Sequence, residues 1–475
     1  MNIKITYNWL LDYLDIDATP YELQEYLSLS GPSIEKVEKI GDDYVFDVEI
    51  TSNRIDTASI IGIAQEAQAI LPMFGKTAKL KKNPLIEYRF SRIKNRFTQR
   101  KELKIKITNP TLCPRFTAIV IENVTIAPSP NFIRERLITC GIKSINNVVD
   151  ISNYLMLALG QPVHVFDYDQ IKGQTMIMRE SKKREKIVTL DEKEITLPGG
   201  DIVIEDGLGR LIDLCGIMGG LNSAISEKTK NVVLFVQTYD KVRIRRTLMS
   251  TGVRTVAATF FEKGLDPERV EPTLVYGVEL LEKYAQGKIA SKLYDIYPTP
   301  NELKTINVKY ELMDKLIGVK IDRKTVNNIL TNLGFIVGND PRVVPITIPS
   351  FRTNDISIPE DIVEEVARIY GYHNIPSILQ SIVYIDQSKE MEDIFVFQNI
   401  IKLFLKHLGL NEVINYSMVS KEQLVDFDLD PKIHLRLSNT LSKDIEYLRT
   451  CLTVSLYKNI KDNVGKKETM KLFEI

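Results

Sequence analysis

The chain has 475 residues, of which 44% are hydrophobic and 26% charged, and its formal net charge is zero. This length exceeds what one hydrophobic core supports, so we predict about three domains. Because the charges balance, the net charge gives no reason to expect binding to nucleic acid or to a membrane surface.

The four cysteines are far apart in the sequence and form no C-x-x-C pair: Cys113, Cys140, Cys215 and Cys451. A zinc site is therefore not expected, and so few cysteines suit a reducing cytoplasm. The first residues lead into a polar, acidic segment, and no apolar stretch approaches the length of a membrane span. We predict a cytoplasmic protein with no membrane partner.

The first predicted region, residues 1–100, combines an N-terminal domain with a basic linker. Thr19 to Glu22 matches a capping box with proline at the first helical position, and Gly31 can end that helix. Tyr44 to Ile50 is predicted as a strand, and Asp56 as the cap of a second helix. We therefore expect the first 75 or so residues to be mostly helical.

The following residues, from Lys76 to Lys106, are predominantly basic, and a solvated linker is their simplest interpretation. An α+β region is predicted over 101–300, with hairpins at 172–240, and further domains over 301–376 and 377–475. The strands expected in these regions are Lys104–Ile107, Thr117–Val124, Lys304–Val308 and Val344–Ile348. The helices expected there follow Ser129, span Glu271–Tyr284, start at Asp322 and span Ile394–Leu408.

One acidic cluster is the clearest candidate site: Asp355, Asp361, Glu364 and Glu365. The run from Ser357 to Glu360 matches a capping box, which predicts a helix from Asp361 onward. Carboxylates three and four residues apart share a helix face and repel each other, and Mg²⁺ or Ca²⁺ would offset that repulsion. The alternative is that acidic side chains near a helix N-terminus are favoured by the helix dipole without any metal.

Three further features could contribute chemistry, but each has a simpler interpretation. His164 lies in a predicted turn, and a lone histidine is more often packed or hydrogen-bonded than catalytic. Ser152 has no G-x-S-x-G context that would make it a nucleophile. The glycines between Cys215 and Gly220 could let backbone N–H groups approach a ligand, or could form a tight turn. The residues alone thus predict a soluble multidomain α+β protein with one acidic cluster.

Eight strings, in order along nearly the whole chain, resemble the beta subunit of bacterial phenylalanine–tRNA ligase. They are Tyr7–Leu10, Glu49–Asp56, Pro114–Phe116, Ile145–Asp150, Gly160–Asp167, Gly216–Gly220, Phe261–Pro267 and Glu364–Tyr372. The resemblance implies a heterotetramer of two alpha and two beta chains, in which the alpha subunit uses ATP to attach phenylalanine to tRNA(Phe). The beta subunit would help to hold the tRNA and would hydrolyse tyrosine wrongly attached to it.

The resemblance also implies an editing pocket in residues 101–300. Its positions fall on Ser152, His164, Cys215, Gly216 and Glu262. Glu262 would accept the tyrosine hydroxyl that phenylalanine lacks, and His164 and Ser152 would position water or substrate. Alternatively, Glu262 would pair with Arg254 or Arg269.

This chain departs from the family pattern around the implied pocket. Ser152 replaces a usual threonine and Cys215 a usual alanine, while Val256 and Phe260 replace a usual glutamate and arginine. The loss of both members of a possible ion pair leaves the pocket more apolar. Editing and loss of editing are both open, and a degenerate tRNA-binding or assembly protein is the alternative function. A free-standing editing hydrolase would leave residues 301–475 without a purpose.

The family's Mg²⁺ ligands map onto Asp355, Asp361, Glu364 and Glu365 without substitution. The implied fold is α+β and multidomain, and the first domain mixes helices with strands. The next domain would be a mixed α/β editing-like module, followed by a small winged-helix-like metal-binding domain (301–376). The last would be a partial class II synthetase-like antiparallel sheet domain (377–475), which is non-catalytic and truncated. The inserted tRNA-binding barrel and the C-terminal anticodon-binding domain of the family are expected to be absent.

Overall fold

The structure is a computed structural model that describes residues 1–340, 342–379 and 388–475. The chain forms two compact units, Met1–Ser377 and Ile378–Ile475. The predicted boundaries near residues 100, 300 and 376 stay predictions. No helix among the described residues is both long enough and apolar enough to cross a bilayer.

The N-terminal part of the first unit is built on a three-stranded antiparallel sheet in the order β1-β4-β3. Its strands are β1 (Asn2–Thr6), β2 (Leu14–Ile16), β3 (Ser33–Ile40), β4 (Asp43–Glu49) and β5 (Ala78–Leu80), and β2 pairs with β5. Its helices are α1 (Tyr7–Leu11), α2 (Pro20–Ser30), α3 (Ile60–Ile70) and α4 (Pro84–Glu87). The expectation of a mostly helical region was therefore wrong, because strands β1 and β3 flank the one predicted strand.

The helix caps in this part agree with the prediction at one helix and differ at the next. The capping box of Thr19 and Glu22 is present, and Gly31 follows the last residue of α2. The cap of α3 is Ser59 rather than Asp56, since the Ser59 hydroxyl accepts a hydrogen bond from the Gly62 N–H. Asp56 instead pairs with Arg54, so its carboxylate belongs to the charge cluster described below.

The central part of the first unit contains two five-stranded sheets. The strands are β6 (Lys104–Ile107), β7 (Phe116–Glu122), β8 (Val163–Asp167), β9 (Thr175–Glu180), β10 (Lys186–Val188), β11 (Glu194–Thr196), β12 (Ile202–Asp206), β13 (Leu211–Leu214), β14 (Met218–Gly219), β15 (Val232–Gln237), β16 (Lys288–Ile289) and β17 (Tyr294–Ile296). One sheet has the order β14-β13-β12-β9-β6, with β6 parallel to β9, and the other the order β16-β7-β15-β8, with β17 also on β7. The predicted hairpins between residues 172 and 240 correspond to the antiparallel pairs of β9, β12, β13 and β14 and to the pair of β10 with β11.

Five helices cover these sheets: α5 (Asn131–Thr139), α6 (Asn147–Leu159), α7 (Lys241–Thr251), α8 (Val256–Phe261) and α9 (Val270–Ala285). Helix α6 buries nearly every residue because it packs between α9 and the rest of this part. The basic segment before β6 lies along α9, where Arg89, Arg92 and Arg96 pair with Glu271, Glu279 and Glu282. The arginines of this segment thus pair with an acidic helix face while they stay partly exposed, so the segment is more than the solvated linker that the sequence predicts.

The last part of the first unit has a three-stranded antiparallel sheet in the order β18-β20-β19. Its strands are β18 (Thr305–Lys309), β19 (Ile336–Val337) and β20 (Val343–Thr347), and its helices are α10 (Tyr310–Ile317), α11 (Arg323–Asn332) and α12 (Pro359–Tyr370). Asp322 caps α11 as predicted. Helix α12 begins at Pro359, two residues before the predicted start at Asp361.

The second unit has a small hydrophobic core of its own, formed by Val419, Leu424, Tyr447 and Val454. Its elements are α13 (Lys389–His407), β21 (Asn411–Glu412), β22 (Met418–Val419), α14 (Lys421–Asp426), β23 (Tyr447–Leu448), α15 (Thr453–Asn463) and β24 (Leu472–Phe473). Strands β22 and β23 pair antiparallel, but β21 and β24 pair parallel. Within the described residues of this unit, the expected antiparallel sheet is thus replaced by two separate pairs.

Candidate functional site

A cavity of about 520 Å³ opens beside the central sheets of the first unit. Helix α6, strand β8, the β13–β14 turn and the start of α8 form its walls, and the lining is largely apolar. The side chains that reach it include Ile145, Val149, Ser152, Met156, His164, Ile217, Met218, Ile225, Thr255 and Val256. This volume lies within the roughly 300–1,000 Å³ of small-molecule sites in proteins.

His164 lies on β8 and contacts the sheet at Gly219. A Cβ atom placed on Gly219 would come within 2.4 Å of the His164 Cε1 atom and 2.7 Å of its Nε2 atom. Only glycine therefore lets the imidazole approach β14 this closely. Burial lowers the pKa of His164 to about 4, so the ring is neutral at pH 7 and can position water or a hydroxyl group by hydrogen bonding.

Ser152 lies on α6 at the same cavity and is mostly buried. Its hydroxyl donates a hydrogen bond to the Val149 carbonyl oxygen at 2.6 Å. The Ser152 oxygen can still accept hydrogen bonds, but the bond to its own helix holds it in one orientation and offers no base that would activate it as a nucleophile.

Cys215 and Gly216 lie in the turn that follows β13. Cys215 is buried, and burial raises the pKa of its thiol well above the usual range, so it is no thiolate at neutral pH. Gly216 has a φ of 69°, and a Cβ there would lie 2.9 Å from the Tyr239 ring. Gly216 lines a smaller recess that adjoins the main cavity, whereas Cys215 lines neither of the two.

Glu262 follows α8 and does not line the cavity. Its carboxylate pairs with Arg245 on α7 at 2.9 Å, and neither Arg254 nor Arg269 is its partner. The guanidinium of Arg269 instead donates to the Leu159 and Asp56 carbonyl oxygens. The structure thus brings Ser152, His164 and Gly216 to one cavity and places Glu262 outside it. Val256 lines the cavity and Phe260 is fully buried, in agreement with an apolar wall.

Two polar residues of the recess were missed in the sequence: Asp213 and Gln237. Both side chains are almost completely buried, and both line the recess of about 60 Å³ beside His164. The Gln237 Oε1 atom has no hydrogen-bond partner within the part of the chain that the structure describes. Burial raises the pKa of Asp213 to about 7, against a smaller opposing effect of the Cys215 thiol. A signal was available, because an aspartate in the middle of the apolar run Leu211–Leu214 must be buried or turned outward.

The acidic cluster has a different geometry from the predicted one. Arg352 donates two hydrogen bonds to Glu365, at 2.8 and 2.9 Å, and also contacts Asp355 at 2.9 Å. Arg368 links Glu365 to Glu66, and Arg54 links Glu66 to Asp56. Arg352, Glu365 and Glu66 are each less than 5% exposed. The result is a continuous chain of ion pairs between α3, α12 and the segments before them.

The charges in this chain of ion pairs stabilise one another. Burial alone would raise the pKa of Glu66, but the guanidinium groups of Arg368 and Arg54 lower it to about 2. The same opposition of burial and arginine charge holds the pKa of Glu365 well below its usual range. These carboxylates are therefore ionised at neutral pH and fully engaged by arginine.

The other two predicted metal ligands point elsewhere. Asp361 accepts hydrogen bonds from the Ser357 and Ile358 N–H groups, at 2.7 and 3.0 Å, and so caps its own helix. Glu364 is exposed and borders a polar cavity of about 310 Å³ together with Glu365 and Arg368. Over residues 1–340, 342–379 and 388–475, no three histidine, cysteine, aspartate or glutamate side chains are arranged to hold a metal ion. The four carboxylates do not fit a shared Mg²⁺ in this arrangement.

Comparisons with known proteins point to one family over most of the chain. Three family models match in order: the B3/4 domain (residues 112–286), the tRNA synthetase B5 domain (306–372) and the phenylalanyl tRNA synthetase beta chain CLM domain (375–475). Among curated relatives, the phenylalanine–tRNA ligase beta subunit of Thermotoga maritima is 32% identical over 93% of this chain and 54% of its own length. That of Clostridium tetani is 34% identical over 94% and 55%, and that of Staphylococcus epidermidis 36% over 94% and 54%.

This chain therefore spans about half the length of the curated relatives that it matches. Among solved structures, an N-terminal fragment of the phenylalanyl-tRNA synthetase beta-subunit from Pyrococcus horikoshii is 15% identical, with a TM-score of 0.45. The match covers 78% of this chain and 100% of that fragment.

Proposed function

Because the chain belongs to the family of phenylalanine–tRNA ligase beta subunits, we propose that it is the non-catalytic subunit of such a ligase. An alpha subunit would use ATP to attach phenylalanine to tRNA(Phe), a metal-dependent reaction, and this chain would complete the assembly. The observation that supports the proposal most strongly is the ordered match over 91–94% of the chain to beta subunits of several bacteria. We further propose a cytoplasmic complex of two alpha and two beta chains that binds tRNA(Phe).

The second unit offers a surface for such a partner. Helix α13 has no buried residue, although it contains Phe395, Phe397 and Phe404. Each of these three rings is more than 60% exposed. Large apolar side chains left exposed in this way are typical of a protein–protein interface, which supports an alpha subunit as the occupant.

The main test is co-expression with the alpha subunit from the same organism. We expect the two chains to elute together in size-exclusion chromatography and the complex to charge tRNA(Phe) with phenylalanine. The alpha subunit alone is the control. A chain that elutes apart from the alpha subunit, together with charging no better than the control, would contradict the proposal.

We also propose that the 520 Å³ cavity hydrolyses tyrosine wrongly attached to tRNA(Phe). Its apolar walls suit an aromatic side chain, and its residues lie in the segment that matches the B3/4 domain. In the reaction, water attacks the ester carbonyl, the bond from that carbon to the ribose oxygen breaks, and a proton passes to the ribose oxygen. Neutral His164 would position the water, and Ser152 would accept a hydrogen bond from the amino acid's ammonium group.

Loss of editing is the second candidate, and the pair of Glu262 with Arg245 favours it, because Glu262 must leave that pair to reach a ligand. Deacylation of Tyr-tRNA(Phe) by the assembled complex separates the two candidates. Release of tyrosine well above the rate of spontaneous hydrolysis would establish editing. A rate equal to spontaneous hydrolysis, in a complex that still charges phenylalanine, would establish its loss.

Mg²⁺ at Asp355, Asp361, Glu364 and Glu365 also stays a prediction, and it requires that Arg352 release Asp355 and Glu365. Thermal unfolding of the chain with and without MgCl₂ tests it, because a ligand bound by the folded state raises Tm. If Arg352 gives way to Mg²⁺, Tm should rise saturably with MgCl₂, and Glu364→Gln should remove that rise. An identical Tm for both proteins at every Mg²⁺ concentration would contradict the prediction.

A further inference from the structure

The recess beside the candidate editing cavity contains a buried polar atom without a partner, the Gln237 Oε1 atom. Asp213 lies opposite Gly219 in the antiparallel pair of β13 and β14. Directly opposed residues project to the same face of a sheet, and the His164 ring lies against Gly219 on that face. Asp213, His164 and Gln237 therefore converge on the recess of about 60 Å³.

The recess adjoins the main cavity, and the residues that line both are Pro162, Val163, His164, Ile217, Met218, Gly219 and Ala257. An aromatic side chain that enters through the apolar cavity would thus point its far end toward Asp213 and Gln237. This arrangement of an apolar wall with a polar floor matches a phenol and not a benzene ring.

We propose that Asp213 and Gln237 are the residues that distinguish tyrosine from phenylalanine in this cavity, in place of Glu262. The inference rests on the proposed editing function and names the determinant of its specificity. A phenol hydroxyl donates one hydrogen bond and accepts others. The unpartnered Gln237 Oε1 atom would accept the hydroxyl proton, and Asp213, held partly protonated at neutral pH, would donate to the hydroxyl oxygen.

The energetic reason for discrimination is the state of the recess without a hydroxyl. Phenylalanine would leave the Gln237 Oε1 atom buried and unpaired, with only the Cys215 thiol beside the Asp213 carboxyl. Burial without a hydrogen bond is unfavourable. A site that is built to bind a hydroxyl therefore rejects the analogue that lacks it. Glu262 has no such deficit, since Arg245 already satisfies its carboxylate.

The test compares two stable mimics of the aminoacyl-tRNA end, 3′-deoxy-3′-(L-tyrosylamino)adenosine and its phenylalanyl counterpart. Their dissociation constants are measured by calorimetry for the full chain and for Asp213→Ala, Asp213→Asn and Glu262→Ala. Asp206→Asn is the matched control, because Asp206 is a buried aspartate of the same sheet that Arg210 engages outside the cavity. Thermal unfolding of each variant reports whether it folds. If Asp213→Ala does not fold, Asp213→Asn, whose side chain has nearly the same shape as aspartate, takes its place in the comparison.

We expect the full chain to bind the tyrosyl mimic about 10-fold more tightly than the phenylalanyl mimic, or better. Asp213→Ala should weaken the tyrosyl mimic by about 10-fold and leave the phenylalanyl mimic within about twofold. Asp206→Asn and Glu262→Ala should keep the preference.

Two results would overturn the inference. A tyrosyl preference that survives in both Asp213 variants but disappears in Glu262→Ala would overturn it and leave the editing proposal intact. A full chain that binds neither mimic would overturn the editing proposal and this inference with it.

Discussion

The buried Asp213 carboxyl predicts a specific pH dependence of stability. Its pKa is about 7 in the folded chain and about 3.9 in an unfolded one. Between these values the folded state binds a proton that the unfolded state has lost, so this group makes the protein less stable as pH rises. Replacement by asparagine removes the titration, and the variant should gain stability relative to the wild type as pH increases.

The size of the effect follows from the two pKa values. Between pH 5 and pH 8, the free energy of unfolding of Asp213→Asn should rise relative to wild type by roughly 2.5 kcal/mol. The other ionisable groups near Asp213 do not interfere. His164 is neutral above its pKa of about 4, burial raises the pKa values of Cys113, Cys215 and Tyr239 above this window, and all four remain in both proteins.

The assay is urea unfolding at pH 5 and pH 8. Near-UV circular dichroism monitors the unfolding of the first unit, which contains Trp9. The difference between the two pH values is the quantity to compare, because any pH-independent cost of a buried amide cancels. Asp206→Asn is the control. The pKa of Asp206 is lowered, by Arg210 and backbone N–H groups against burial, so its variant should show no gain at pH 8. An Asp213→Asn effect of the same size at both pH values would refute the reasoning.

Three further predictions concern the cavity and the ion pairs. His164→Ala should reduce deacylation of Tyr-tRNA(Phe) by the complex by roughly 100-fold while phenylalanine charging is unchanged; equal deacylation would contradict a role for His164. Arg368→Met should lower the free energy of unfolding by about 3–5 kcal/mol, because it leaves Glu66 and Glu365 buried with fewer partners; Lys186→Met, in an exposed pair, should change it by less than about 1 kcal/mol. Wild type should also lose stability as pH falls from about 4.3 toward 2, through the lowered pKa of Glu66; a Glu66→Gln variant should lose less in urea titrations over the same range.

The local signals in the sequence predicted local structure well. The capping box at Thr19 and the cap at Asp322 depend on residues three apart, and both are present. The cap of α3 was misassigned because Asp56 and Ser59 are both good caps, and only tertiary structure decides between them. In this fold Arg54 engages Asp56, which leaves the cap to Ser59.

The first sheet was harder to predict because its strands depend on partners far away in sequence. Strand β3 contains Lys36, Glu38 and Lys39 and buries only Ile34, so its pattern shows little of the alternation typical of a strand. Its pairing with β4 supplies what the pattern lacks. The same limitation applies to Glu262, since no spacing rule connects it to Arg245.

The first unit contains two groups of polar residues, the acidic cluster and the recess at Asp213. They show that a high density of charge and a lack of hydrogen-bond partners are different signals of a binding site. The four carboxylates from Asp355 to Glu365 are conspicuous in sequence, but three of them are engaged by arginine or by a helix N-terminus. Asp213 is a single acid within an apolar strand, yet it lines a recess beside an unpartnered Gln237. The fold alone explains the presence of a buried polar group whose hydrogen bonds are complete. A buried polar group without a partner destabilises the free protein, so its presence calls for another explanation. That asymmetry is why a ligand is expected at Asp213 in preference to the more acidic cluster.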